Sequence, residues 1–177
     1  MIPLRSKKKY IYNLVITILT TLFFITSCTE KKKPKTTVEK KNNPNYVLPP
    51  SFNADSAYFF VKKQVDFGPR VISSKAWLNC SDWLVKKLKN YTPHVSMQNA
   101  PVVTYDKKKH TIRNIIASFS PKKKNRIMLC AHWDSRHIAD HDSLNKNKPI
   151  LGANDGGSGV GVLLEVARQI SVKKPNI

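Results

Sequence analysis

The chain has 177 residues and is strongly basic: 31 lysines and arginines stand against 11 aspartates and glutamates, a formal net charge of +20. Such a balance invites a nucleic-acid reading. The lysine triplets at 7–9, 31–33, 107–109 and 122–124 fall in terminal segments and expected loop tips, without the interleaved aromatic residues that stack bases. Nucleic acid is therefore set aside as a partner, and contact with anionic lipid or a polyanionic envelope is a secondary consequence of the charge.

The N-terminus reads as a targeting segment. Arg5, Lys7, Lys8 and Lys9 form a basic region, and Tyr10 to Phe24 is an apolar stretch that is short for a membrane span of about 20 residues. Ile25-Thr26-Ser27-Cys28 resembles a bacterial lipobox, which implies a signal peptide over residues 1–27 and lipidation of Cys28. Acyl chains there would anchor the protein to a membrane surface in the cell envelope, facing periplasm or exterior, without spanning it. Residues 28–50 are rich in lysine and proline and poor in large apolar side chains, so they read as a tether. The folded part is expected over residues 51–177.

Within it, Ala54, Ala57, Tyr58, Val61 and Val65 recur at helical spacing, with Asn53 or Asp55 available as a cap. Asp66-Phe67-Gly68-Pro69-Arg70 breaks that helix. A second helix is predicted from Ser74 to Lys89, with Ala76, Trp77, Cys80, Trp83, Leu84 and Leu88 on one face and lysines in its last turns. Pro101–Tyr105 and Thr111–Phe119 read as a hairpin around the turn 106–110. Arg126–Ala131 is a near-continuous apolar run, expected to be a strand buried on both faces. Ser158–Ile170 is an amphipathic helix. The order predicts an α/β sandwich whose sheet begins antiparallel and turns parallel further on. Cys80 and Cys130 read first as small buried apolar residues, with any pairing left open.

The chemistry gathers at the end of the apolar run. His132 follows it directly, where α/β folds place their sites, and Asp134 is close enough in sequence to fix the imidazole tautomer. Asp155 lies in Gly152-Ala153-Asn154-Asp155-Gly156-Gly157-Ser158-Gly159, small residues that clear space and lead into a helix N-terminus. An imidazole and a carboxylate on separate loops suit a divalent metal, and zinc accepts that mixture.

Ala131-His132-Trp133-Asp134-Ser135 followed by the Gly152–Gly159 run resembles the M28-type zinc aminopeptidases and the related glutaminyl-peptide cyclotransferases. Asp66–Arg70, the helix carrying Trp77 and Trp83, and Arg113-Asn114-Ile115-Ile116 resemble the bacterial cyclotransferase branch. The resemblance implies a zinc-exopeptidase-like fold, a three-layer α/β sandwich around a mixed, mainly parallel sheet. It implies that Asp155 is a zinc ligand, that His132 is a zinc ligand as in the two-metal peptidases, whereas in the cyclotransferases that histidine can persist without metal, that Asp134 supports His132, and that the Asp155–Gly156 peptide is a candidate for the cis form. Arg136, His137, Asp140, His141 and Asp142 would form a solvated polar loop or line the pocket mouth.

The implied activity is closure of an N-terminal glutamine to pyroglutamate on exported peptides, or, in the peptidase branch, release of an N-terminal residue. The family's catalytic glutamate, its adjacent acidic ligand, and a later aspartate and histidine have no counterpart here. Glu165, read as facing out of its helix, is the one acid after Asp155. No catalytic residue is therefore assigned on this chain. The expectation is a domain cut short at its C-terminus that needs a missing C-terminal half to complete it. A catalytically inert surface lipoprotein is the alternative outcome.

Overall fold

A computed structural model describes residues 49–173. The expected signal peptide, Cys28, and the expected tether up to residue 48 lie outside the described residues, as do 174–177. The order is α1 (Ala54–Val65), α2 (Lys75–Lys89), β1 (Val95–Val103), β2 (Lys109–Ala117), an irregular wide turn at Ala153–Ser158, and α3 (Gly159–Val172).

Both early helices start where their side chains satisfy free backbone donors. The Asn53 carboxamide oxygen accepts from the Ser56 N–H at 2.8 Å, and the Ser74 hydroxyl accepts from the Trp77 N–H at 3.1 Å. Of the two capping residues the sequence offered for α1, Asn53 does the work. Lys86, Lys87 and Lys89 sit in the last turn of α2, where the helix dipole favours cations.

β1 and β2 form an antiparallel pair, with register Val95↔Ala117 through Val103↔Lys109. β1 begins earlier than its apolar residues indicate, because Ser96, Gln98 and Asn99 are strand residues held by the ladder to β2. Pro101 is tolerated because among the described residues β1 pairs with β2 alone and no second neighbour needs its missing N–H. The turn closes through Thr104 N–H to Lys108 O at 3.0 Å, with Lys107 in the left-handed region at φ 64°.

The core joins Phe60 of α1, Cys80 and Leu84 of α2, and Val160 and Leu164 of α3. Ile115 of β2, Ala131 and Trp133 pack against it. α1 and α3 approach closely because position 161 is glycine. A Cβ there would lie 2.7 Å from Val61 Cγ2 and 2.9 Å from the Ala57 carbonyl.

Arg126–Ala131 differs from expectation: it forms no strand among the described residues. Ile127, Met128 and Leu129 are exposed, at 77%, 86% and 57%. A groove of about 910 Å³ is lined by residues 112–118, the end of β2 with Ser118 beyond it, and by residues 126–134. A strand exists by virtue of a hydrogen-bonded neighbour, and an apolar run cannot supply its own. The described fold is therefore α/β, with three helices and a two-stranded antiparallel sheet.

Cys130 is exposed and Cys80 fully buried, and both are free thiols. Burial pushes the Cys80 thiol up to about 11, opposed by the nearby Arg70 charge.

Glu165 also departs from expectation. It is fully buried, not turned outward. Its carboxylate accepts from the Asn53 backbone N–H at 3.0 Å, from Arg168 Nε and Nη2 at 2.7 and 2.9 Å, and from Gln169 Nε2 at 2.8 Å. It thus pins α3 to the start of α1. The periodicity of α3 marks its apolar stripe, but a charged residue at the stripe's margin turns inward when donors await it.

Candidate metal centre

The site is built from two loops. The first leaves the 126–131 segment and carries His132 and Asp134. The second is the wide turn before α3, whose helical path breaks at Asp155 (φ −78°, ψ 99°) and Gly156 (φ 86°, ψ −51°). That break turns the Asp155 carboxylate toward the first loop. His132 Nε2 lies 3.0 Å from Asp155 Oδ1, and His132 Nδ1 lies 3.4 Å from Asp134 Oδ1. All three side chains are about half exposed, so an ion or substrate can reach them. Asp134 faces Nδ1, the ring nitrogen opposite the one that Asp155 faces.

Gly156 allows this closeness. A Cβ at that position would sit 2.9 Å from the Asp134 carbonyl oxygen and 2.9 Å from His132 Cε1, and the positive φ would strain any other residue. The Asp155–Gly156 peptide is not cis, as no cis peptide occurs among the described residues.

Trp133 steadies the first loop. Its ring stacks on Trp77 of α2 at 5.1 Å, and its Nε1 donates to the Arg113 carbonyl on β2 at 3.1 Å. The Arg113 guanidinium in turn lies over Trp77 at 5.2 Å. Beneath both loops lies Arg70, fully buried, with the Gln64 backbone carbonyl beside it. Burial lowers the Arg70 pKa from its ordinary value, an effect partly countered by the Cys80 and Asp134 charges. Sequence reasoning treated residues 66–70 as a helix break and missed this role. An arginine carries no sequence mark of burial, since that residue type is usually exposed.

The residues between the two loops stay in solvent. Arg136 pairs with Asp140, His137 Nε2 meets the Tyr105 hydroxyl at 3.1 Å, and the Asp142 carboxylate accepts from the Leu144 and Asn145 N–H groups at 2.8 Å. His141 is almost wholly exposed. None of the five approaches His132 or Asp155 as an ion-pair or hydrogen-bond partner.

The donor set fits a zinc ion in part. A tetrahedral zinc with bonds of about 2.0–2.1 Å holds adjacent ligand atoms about 3.3 Å apart. The 3.0 Å between His132 Nε2 and Asp155 Oδ1 is close to that edge. Among the described residues no group of three metal-ligating side chains occurs, so these two would need further ligands from elsewhere.

The chain is similar to known proteins. Residues 114–176 match Peptidase family M28. A glutaminyl cyclase of Tannerella forsythia superposes with a TM-score of 0.71 at 50% identity, over 72% of this chain and 45% of that one. A Zn-dependent exopeptidase of Parabacteroides distasonis gives 0.70 at 51% identity, over 72% and 44%. A leucine aminopeptidase precursor of Bacteroides thetaiotaomicron gives 0.72 at 48% identity, over 75% and 46%. No match was found among curated proteins. The chain belongs to the family of M28-type peptidases and bacterial glutaminyl cyclases. It spans less than half the length of these solved relatives.

Proposed function

We propose that this chain contributes the His132 and Asp155 ligands of a zinc-dependent glutaminyl-peptide cyclotransferase acting on the N-terminal glutamine of exported peptides. The observation that carries the reading is the 3.0 Å convergence of these two side chains from separate loops, in a chain of which 72% superposes on a glutaminyl cyclase at 50% identity. In this reading His132 Nε2 and Asp155 Oδ1 hold the ion, and Asp134 keeps the imidazole proton on Nδ1. Bound zinc supplies Lewis-acid polarisation of a carbonyl oxygen.

The proton-transfer group is not Glu165. That carboxylate is buried and already accepts from Asn53, Arg168 and Gln169, whereas a general base must reach the reacting atoms. The completed domain is the three-layer sandwich with a mainly parallel sheet. The groove between β2 and residues 126–134 supports that architecture, since both of its walls present extended or apolar chain. Cys28 carries the lipid anchor that holds the domain at the envelope surface.

A second reading has its own support, because two of the solved relatives are described as an exopeptidase and an aminopeptidase precursor. Incubation with a Gln-initiated peptide and with a Leu-initiated peptide, followed by mass spectrometry, separates the two. Loss of ammonia with the peptide otherwise intact supports the cyclotransferase; release of a free amino acid supports the peptidase. Neither product, in the presence of zinc, refutes activity of this chain.

A further inference from the structure

The geometry points to Arg70 as a positioning residue, a latch whose guanidinium joins the His132 loop to the Asp155 loop and so sets the approach of the two side chains. Its importance for a metal rests on the reading above; the latch itself does not.

Arg70 is 0% exposed. Its Nε donates to the Trp133 carbonyl at 2.9 Å, one residue from His132. Its Nη1 donates to the Leu151 carbonyl at 2.7 Å and to the Gln64 carbonyl at 3.3 Å. Its Nη2 donates to the Gly152 carbonyl at 2.8 Å, at the start of the turn that carries Asp155. The Arg70 backbone adds a fifth tie, its carbonyl accepting from the Ser135 N–H at 3.1 Å. Gln64 reinforces the second loop by donating through Nε2 to the Gly157 carbonyl at 3.1 Å.

Every acceptor of the guanidinium is a backbone carbonyl, and among the described residues Arg70 has no carboxylate partner. Ion pairing therefore does not explain a buried cation, which is costly to remove from water. The shape of the group does. A planar fork with five N–H donors can serve acceptors on opposite sides at once. A lysine ammonium offers its donors from one point and cannot span both loops. An aliphatic residue would fill the space but leave buried carbonyls unpaired.

The test is amide hydrogen exchange on the full chain. In the parent, the Ser135 and Gly157 amides should open together, with one opening free energy and one denaturant dependence, because a single side chain closes both loops. Arg70→Lys should speed exchange at both by tenfold or more while the β1–β2 ladder keeps its protection. Independent opening of the two amides in the parent overturns the latch, and this arm stands even if Arg70→Lys fails to fold. Acceleration of one loop alone, or equal acceleration throughout the domain, also overturns it.

Zinc titration supplies the second readout. Apparent affinity should fall at least tenfold in Arg70→Lys and stay within twofold in the folded fraction of Leu84→Ala, a core change that removes none of the hydrogen bonds holding the loops. Equal affinity in parent and Arg70→Lys contradicts positioning of the ligands. A parent that shows coupled opening but binds no zinc keeps the latch and removes the metal reading.

Discussion

Glu165 offers a quantitative test of how the described domain is held together. Hydrogen bonds from Arg168, then Gln169 and the Asn53 N–H, lower its pKa from an ordinary 4.5 to about 2, against the opposing effect of desolvation. Each pH unit of lowering corresponds to about 1.36 kcal/mol of preference for the charged form, which sets a ceiling of about 3 kcal/mol. Arg168 is 32% exposed, and solvent screens its share of the interaction, so about 2 kcal/mol is the expected contribution. A depressed carboxyl pKa stabilises the fold fully above the unfolded value and loses that contribution as pH falls from about 4.5 through about 2. Glu165→Gln keeps the shape and removes the charge. Urea unfolding at pH 7 should show it about 2 kcal/mol less stable than the parent, with the difference shrinking to about 1 kcal/mol or less at pH 3. An equal difference at both pH values, or none at pH 7, would refute a stabilising role for the Glu165 charge among Arg168, Gln169 and Asn53.

Other positions give independent checks. Gly156→Ala forces a side chain into a positive-φ position against His132, and should cost about 1–3 kcal/mol in urea unfolding while weakening zinc binding. Leu164→Ala removes the most buried aliphatic side chain of the core and should cost about 2–5 kcal/mol, read as a lowered denaturation midpoint. Ser74→Ala deletes the cap of α2 and should cost about 1 kcal/mol, with Ser74→Gly costing less. Replacing Met128, 86% exposed, by lysine should leave unfolding free energy within about 0.5 kcal/mol and raise solubility, since it fills no core space and interrupts an exposed apolar run.

The helices were legible because their signals are local. Asn53 and Ser74 cap what the apolar spacing predicts, and α3 follows its periodicity. The hairpin was legible from its second strand but not fully from its first, where the mostly polar Ser96-Met97-Gln98-Asn99 becomes strand only through pairing with residues 113–116 of β2. Arg126–Ala131 marks the opposite failure. Its composition is that of a buried strand, yet strand formation depends on a partner that no local pattern encodes.

The two site loops were readable from small residues flanking His132 and Asp155, and the structure brings both side chains and Asp134 together. What fixes the loops was not readable. Arg70 and Glu165 are charged residues with buried partners distant in sequence, and nothing in their immediate neighbours distinguishes them from solvated ones.

The central claim is that His132 and Asp155 share one zinc ion. Crystals of the chain grown with zinc, measured on both sides of the zinc absorption edge, test it most directly. The account predicts an anomalous peak about 2 Å from both His132 Nε2 and Asp155 Oδ1, lost in Asp155→Ala. A zinc-loaded crystal with no peak between those atoms, or with its peak elsewhere, would contradict it.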